Sequence, residues 1–462
     1  MSDDDMMMPI QQVSEDLPIR AVTDEGLGNT SWVLRVGDEA LVVDPERDPV
    51  PYQRAAEQLG GQIVLAAETH LHADFVTGSR ELAANGAAVA AAADGNLEWP
   101  HQALADGDEI DFGRQKLQVL ATPGHTPEHV AFLFVDDGRP RAVFTGGSLM
   151  VGSVARTDLI DPDDTEALTR ALWHSINHRL LALPDDVAVL PTHGAGSFCA
   201  AAGGGRRWTM IGEERSSNPL LQAEDEDDFV RRVLAGFGSY PPYFGRLREV
   251  NRLGPHVYGR FPGLADLDAD QVEELRAQGA IVVDVRSVGD YASGHVPGSL
   301  ANTLRPQFAS WLGWVVEDPS TPLVFVTDHH TDRRELVRQC LNIGYERLAG
   351  EITDHAWTAA GRPMATSPLL RPDQLEDHQI LDVRQESEFR AGHVPHATHL
   401  ELGALPHQPS GIGDGPLVTM CGHGERAATA ASILEDAGHP GVAILDGGPD
   451  DWATATNQSL ER

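Results

Sequence analysis

Two stretches of this chain put metal-binding side chains directly after apolar runs. T-H-L-H-A-D-F follows Q-I-V-L-A-A-E (62–68) and presents His70, His72 and Asp74 at alternate positions. Alternate side chains of an extended segment share a face, so His70 and His72 can reach one ion. A-T-P-G-H-T-P-E-H-V adds His125 in a turn shaped by proline and glycine, and P-T-H-G-A-G-S adds His193 after a further apolar run. A lone histidine is usually an ordinary surface or core residue. Four at successive strand ends, with an aspartate among them, point to a metal centre.

A different chemistry is written near the C-terminus, in P-L-V-T-M-C-G-H-G-E-R-A-A-T-A-A-S-I-L-E-D-A-G. The apolar strand 417–420 runs into Cys421, and a short loop leads to Arg426 and a helix. A cysteine between a strand and a helix N-terminus sits among unpaired backbone N–H groups at the positive helix end, which favours the thiolate. Gly422 and Gly424 let the loop curl round the sulfur, and Arg426 adds a cation. Such a cradle suits a cysteine that accepts sulfur and carries it as a persulfide.

The elements that position these residues repeat along the chain. Up to about residue 200 the pattern is strand, loop, helix, with strands predicted at 62–68 and near 116–120, 130–135, 142–145 and 186–190. A helical run, V-T-G-S-R-E-L-A-A-N, follows the first histidine cluster. The acidic stretch from 208 to about 255 reads as a partly helical arm or spacer. Beyond it D-V-R-S-V-G-D-Y-A-S-G-H-V-P-G-S, from Asp284, is matched by D-V-R-Q-E-S-E-F-R-A-G-H-V-P-H-A, from Asp382, and the spacing holds at His295 and His393. The C-terminal half is therefore two copies of one α/β domain. The expected boundaries are 1–255, 256–365 and 366–462. Copy one has Thr327 where Cys421 falls and Asp332 in place of Arg426, so it reads as catalytically silent. Cys340 reads as a core residue of its helix.

The repeat and the C-x-x-G-x-R loop resemble the rhodanese family of sulfurtransferases. This resemblance implies Cys421 as nucleophile, Arg426 as support of the sulfur site, and Asp382 and Arg384 as scaffold. The histidine motifs, with G-N-T-S-W-V-L…V-V-D-P, resemble the metallo-β-lactamase superfamily, which implies an αβ/βα sandwich with its metal at one edge of the paired sheets. T-H-x-H-A-D, T-P-G-H-T-P and F-T-G-x-x-L…R-T-D most resemble the persulfide dioxygenases, and the whole chain resembles their fusions to rhodanese-like modules. The fold class is thus α/β throughout.

In that family Fe(II) is held by two histidines and an aspartate, the facial set of non-haem iron oxygenases. Carried over, the histidines are His70 and His125, with His72 available as a third ligand. The aspartate position after F-T-G is Gly147, so the carboxylate is missing while R-T-D (156–158) is intact. If the pocket lacks only this ligand, Gly147→Asp should raise iron binding. The resemblance implies oxidation of a low-molecular-weight thiol persulfide, of glutathione or an equivalent thiol, to sulfite. Cys421 would exchange sulfur with the same pool. Fe(II) is the expected metal and Zn(II) the alternative. A glyoxalase II-type thioesterase would need a histidine after Asp74 and a bridging aspartate, where Phe75 and Gly147 stand. A metal-free N-terminal scaffold carrying only a C-terminal sulfurtransferase is the remaining alternative.

The bulk properties exclude other classes. A formal net charge of −36 repels phosphate backbones and anionic membrane surfaces, so neither nucleic acid nor membrane is an expected partner. No apolar run reaches the roughly 18 residues needed to cross a bilayer. The start M-S-D-D-D-M-M-M lacks a basic n-region and an apolar h-region, so a cytoplasmic location is expected. Three widely spaced cysteines make no disulfide framework and fit a reducing compartment. Homo-oligomerisation is left open.

Overall fold

A computed structural model describes residues 8–199, 205–375, 378–408, 415–439 and 441–462. The chain divides into two compact units, Met1–Phe261 with Leu341–Gly344, and Pro262–Cys340 with Tyr345–Arg462.

The first unit holds a seven-stranded sheet, Ile10–Ser14 to Gln102–Leu104, and a six-stranded sheet, Glu109–Phe112 to Thr209–Met210, each with its strands side by side in chain order. Strands such as N-T-S-W-V-L-R-V (Asn29–Val36) and V-A-F-L-F-V-D (Val130–Asp136) are rich in β-branched and aromatic residues. Trp32 and Leu34 from the first sheet meet Phe132, Phe144 and Leu190 from the second in one buried core. The opposite faces are covered by helices. Tyr52 and Ala55 of the helix Val50–Leu59 pack on Val33 and Val42, and Leu172 of the helix Thr165–Ser175 packs on Val143 and Val189. This is the expected αβ/βα sandwich.

Parallel pairing decides where the chemistry gathers. Glu39–Val43, Gln62–Glu68 and Ala88–Ala92 run parallel, as do Arg139–Gly146 and Ala188–Pro191. Parallel neighbours end on the same edge, so the loops that follow them come together there. The predicted strands lie at Gln62–Glu68, Gln115–Ala121, Val130–Asp136, Arg139–Gly146 and Ala188–Pro191.

The stretch read as an arm or spacer is part of this unit. Its helices Ile211–Ser217, Glu226–Ala235 and Phe244–Leu253 are amphipathic, and Ile211, Phe229 and Val233 join the outer core. Asn251, on the last of them, clamps the histidine loop. Its amide donates to the His72 and Phe75 carbonyls at 2.8 and 2.9 Å and accepts from the Thr77 N–H at 2.9 Å. Its acidity suggested a solvated segment, yet each helix keeps one apolar stripe to bury.

The second unit contains two all-parallel sheets. Copy one orders its strands Leu300–Ala301, Ile281–Asp284, Leu323–Thr327, Leu348–Thr353. Copy two orders them Leu369–Leu370, Ala443–Leu445, Leu417–Met420, Gln379–Asp382, Thr398–His399. The D-V-R repeat does the same work in both. Arg286 grips Asp284 at 2.6 and 2.9 Å and donates to the Gly294 carbonyl at 2.7 Å. Arg384 grips Asp382 at 2.6 and 2.9 Å and donates to the Gly392 carbonyl at 2.8 Å. Cys340 is fully buried in copy one's helix Arg333–Asn342, and burial pushes its thiol pKa up. Among the described residues no helix is long and apolar enough to cross a membrane.

Candidate functional site

The strand-end loops of the first unit bring His70, His72, Asp74, His125 and His193 together, each no more than 3 % exposed. The hydrogen bonds of three of these rings fix which nitrogen is free. The Thr69 hydroxyl donates to Asp44 Oδ2 at 2.7 Å, so it accepts from His70 Nδ1–H at 2.8 Å. His125 Nδ1–H donates to the Arg156 carbonyl at 2.6 Å. Asn29 donates to Asp74 Oδ2 at 2.8 Å, and its Oδ1 accepts from His193 Nδ1–H at 3.0 Å. With every Nδ1 proton spoken for, His70, His125 and His193 each turn an Nε2 lone pair inward. An outer partner on one ring nitrogen is how a protein orients the other as a metal ligand.

The two Nε2 atoms of His70 and His193 face each other at 3.3 Å. At that distance the two nitrogens share one proton or one cation. Burial holds the His70 pKa well below the ordinary value, with neighbouring histidines adding to it, and burial likewise holds His125 down to about 3. These rings are therefore neutral at ordinary pH, the state that can ligate. The donor atoms of His70, His72 and His193 lie within 4.8 Å of one another, as do those of His125, His193 and Cys199. On donor chemistry and tautomer the residues fit a single metal ion.

His72 occupies two surroundings at once. Its Nε2 lies 3.2 Å from Asp44 and 3.3 Å from Glu68. Burial opposes its charge, but these two carboxylates outweigh it and push the pKa up to about 10. Its Nδ1 has no hydrogen-bond partner. Phe75, where a second-site histidine would stand, stacks on the His72 ring at 4.2 Å.

The Gly147 backbone is built into the site. Its N–H donates to His129 Nε2 at 3.0 Å, and its carbonyl accepts from the Ala155 N–H at 3.0 Å. His129 Nδ1 is 2.9 Å from the Thr122 hydroxyl, so this ring holds the strand end and has no nitrogen left for a metal. A Cβ added to Gly147 would meet His125 Cδ2 at 2.6 Å and Ala155 Cβ at 2.9 Å. The pocket is therefore closed around the glycine. An aspartate at 147 would have to displace the His125 ring before it could help hold a metal.

In the second unit Cys421 follows the strand Leu417–Met420 and is 1 % exposed, and its Sγ accepts from the Gly424 N–H at 3.1 Å. Gly424 has φ +105°, a left-handed conformation that lets the loop turn its N–H onto the sulfur before the helix Glu425–Asp436. Arg426 is held by both oxygens of Glu388, at 2.7 and 2.8 Å. Burial opposes its charge, yet Glu388 and the adjacent Cys421 keep its pKa raised. Copy one contributes to this pocket. The Arg426 guanidinium lies over the Trp311 ring at 5.1 Å, and Arg305 is within electrostatic reach of Cys421.

Residues 24–193 match the metallo-beta-lactamase superfamily, and residues 268–352 and 369–455 each match the rhodanese-like domain. The human mitochondrial persulfide dioxygenase ETHE1 is 32% identical over 201 residues, covering 43% of this chain and 72% of that protein. The chain belongs to the metallo-beta-lactamase superfamily, joined to two rhodanese-like domains. A hydroxyacylglutathione hydrolase from Cereibacter sphaeroides is 33% identical over 214 residues, covering 40% of this chain and 79% of that protein. A metallo-beta-lactamase crystal structure from Staphylococcus aureus aligns over 72% of this chain and 98% of its own, with 26% identity and a TM-score of 0.64. With these relatives this metallo-beta-lactamase–rhodanese chain is an enzyme, and its homologues connect it to sulfur metabolism.

Sequence reading gathered His70, His72 and His125 as ligands, with Cys421 and Arg426 for sulfur. It noticed His193 without counting it as a ligand, although a fourth strand-end histidine was the available signal. Glu388, Trp311 and Arg305 gave no signal, because their closeness to Arg426 or Cys421 arises only when the repeat folds.

Proposed function

We propose that this protein is a persulfide dioxygenase–sulfurtransferase of sulfane-sulfur metabolism. Its N-terminal domain would convert R–S–SH, O2 and H2O into R–SH, sulfite and two protons, R–SH being a low-molecular-weight thiol such as glutathione. The observation that carries this reading is that His193 sits beside both His70, Nε2 to Nε2 at 3.3 Å, and His125, with donor atoms within 4.8 Å, at a site with Phe75 and Gly147 where a second metal's ligands would be needed. His70, His125 and His193 would hold the ion through Nε2, and His72, which Asp44 and Glu68 hold protonated, would add Nδ1 only on releasing that proton to solvent. Fe(II) held by these residues would supply redox chemistry toward oxygen, which Zn(II) would not. The chain's part is to fix the rings through Thr69, Arg156 and Asn29 and to keep water out of a pocket whose residues are nearly all buried.

At the second site the Cys421 thiolate attacks the outer sulfur of a donor. The Sγ–S bond forms as the donor's S–S bond breaks, and the donor leaves as a thiolate or, from thiosulfate, as sulfite. The Gly424 N–H steadies charge on Sγ, and Arg426 offers a cation to the incoming anion.

One preparation tests both halves. The full chain is purified anaerobically, its iron and zinc are quantified, and oxygen uptake is followed with glutathione persulfide. Bound iron with persulfide-dependent uptake and sulfite formation is the expected result. Absence of both metal and uptake overturns the reading, and thioester cleavage with bound zinc replaces it with a glyoxalase II-like hydrolase.

A further inference from the structure

We propose that Cys199 supplies the anionic metal ligand that Gly147 lacks, giving this centre a shell of histidines and one thiolate. The inference rests on the reading of the strand-end histidines as a metal centre. Its first support is position. The Cys199 sulfur lies within 4.8 Å of ligand nitrogens of His125 and His193, and the residue is fully buried.

The second support is how Cys199 is held. Arg156 bridges two of the groups concerned. Its carbonyl accepts from His125 Nδ1–H at 2.6 Å, and its N–H donates to the Cys199 carbonyl at 2.9 Å. The Arg156 side chain also donates to the Phe198 carbonyl at 3.2 Å and is anchored by Asp158 at 2.7 Å. The Cys199 N–H donates to the Ser197 hydroxyl at 3.1 Å. The intact R-T-D motif thus locks the segment that carries the thiol to the ring of His125.

Two further observations point to a cation. Asp74 is 2 % exposed, and apart from the Cys199 thiol its Oδ1 meets no hydrogen-bond donor. The Nε2 atoms of His70 and His193 both turn inward, 3.3 Å apart. A buried carboxylate oxygen with only a thiol to meet is costly unless positive charge sits beside it.

Chemistry explains why a thiol suits the vacancy. Neutral histidines and the single Asp74 carboxylate leave one unit of a divalent ion's charge uncompensated, the unit a carboxylate at 147 would have removed. The Cys199 thiolate removes the same unit, the S–H proton passing to solvent as the metal–sulfur bond forms. A Cβ at 147 would strike His125, so the compensating group has to arrive from another loop. Histidine and thiolate together are a donor set for Zn(II), Fe(II) or Co(II).

The test is spectroscopic and independent of turnover. The full chain is loaded anaerobically with Co(II), then with Zn(II), as wild type, Cys199→Ser and Cys421→Ser. Wild type and Cys421→Ser should show a thiolate-to-Co(II) charge-transfer band and one metal–sulfur distance of about 2.3 Å by X-ray absorption. Cys199→Ser should lose both and bind the metal at least about tenfold more weakly. Equal thermal melts of the metal-free proteins show that the variant folds. A wild-type shell of nitrogen and oxygen only, a band that survives Cys199→Ser, or no metal uptake at all overturns the proposal. Sulfur ligation without persulfide-dependent oxygen uptake sinks the dioxygenase reading and leaves this one standing. Oxygen uptake from a sulfur-free shell does the reverse.

Discussion

The two rhodanese-like copies share a scaffold and differ in what their loops do with it. Both anchor the D-V-R arginine on the aspartate two residues before it. Asp284 pairs in register with Val326, and Asp382 with Met420, which puts Thr327 and Cys421 at the same place after equivalent strands. There the likeness ends. The Cys421 sulfur faces a glycine N–H beside a held arginine, whereas the Thr327 hydroxyl donates to Glu351 at 2.6 Å and Arg333 closes on the same carboxylate at 2.7 Å. Asp332, aligned with Arg426, caps its helix by accepting from the Glu335 N–H at 3.0 Å. In copy one a carboxylate from the neighbouring strand, Glu351, meets the residue that stands where copy two has its sulfur. The scaffold is kept while the loops diverge, and copy one reaches the Cys421 pocket through Trp311 and Arg305.

The sharpest break of this comparison is at the nucleophile. Cys421→Ser should reduce thiosulfate- or persulfide-dependent sulfur transfer to background, and adding Thr327→Cys to it should not restore any, because Glu351 disfavours a thiolate there. Transfer by the double variant would show that the loops are interchangeable.

The shared scaffold comes next. Asp284→Ala and Asp382→Ala each strand a buried guanidinium, and each should lower the unfolding free energy of its copy by about 3–5 kcal/mol in denaturant titration. A large cost in one copy and none in the other would break the equivalence.

Smaller effects probe the help given by copy one. Trp311→Ala removes the ring under Arg426 and should raise KM for an anionic sulfur donor about two- to fivefold with little change in kcat. An unchanged KM would make copy one a bystander.

The smallest effect is a pH limb. Burial raises the Glu388 pKa, but Arg426 outweighs it and holds the carboxylate below its ordinary 4.5. The stabilisation is therefore complete above pH 4.5 and is lost as pH falls through the lower folded value. Sulfur transfer should share this acid limb, and Glu388→Gln should remove it. At the matching place in copy one Asp290 accepts from Ser287 instead, so the limb belongs to copy two alone.

Sequence determined a good deal of this protein by itself. Alternation and strand-end punctuation located the strands, and internal repetition exposed the paired C-terminal domains. The spacing of His70, His72 and His125 pointed to a metal centre, and C-G-H-G-E-R pointed to a sulfur carrier. These are local signals, written within a few residues of one another. Tertiary structure decided the rest, because it depends on which strand ends share an edge. Parallel pairing brought His193 and Cys199 to the histidine loop from far along the chain, and the amphipathic helix Phe244–Leu253 turned an acidic arm into a clamp. Gly147 shows the division well. Its missing carboxylate was legible as a letter in a motif. That a side chain there would strike His125, and that a buried thiol stands close by, followed only from packing.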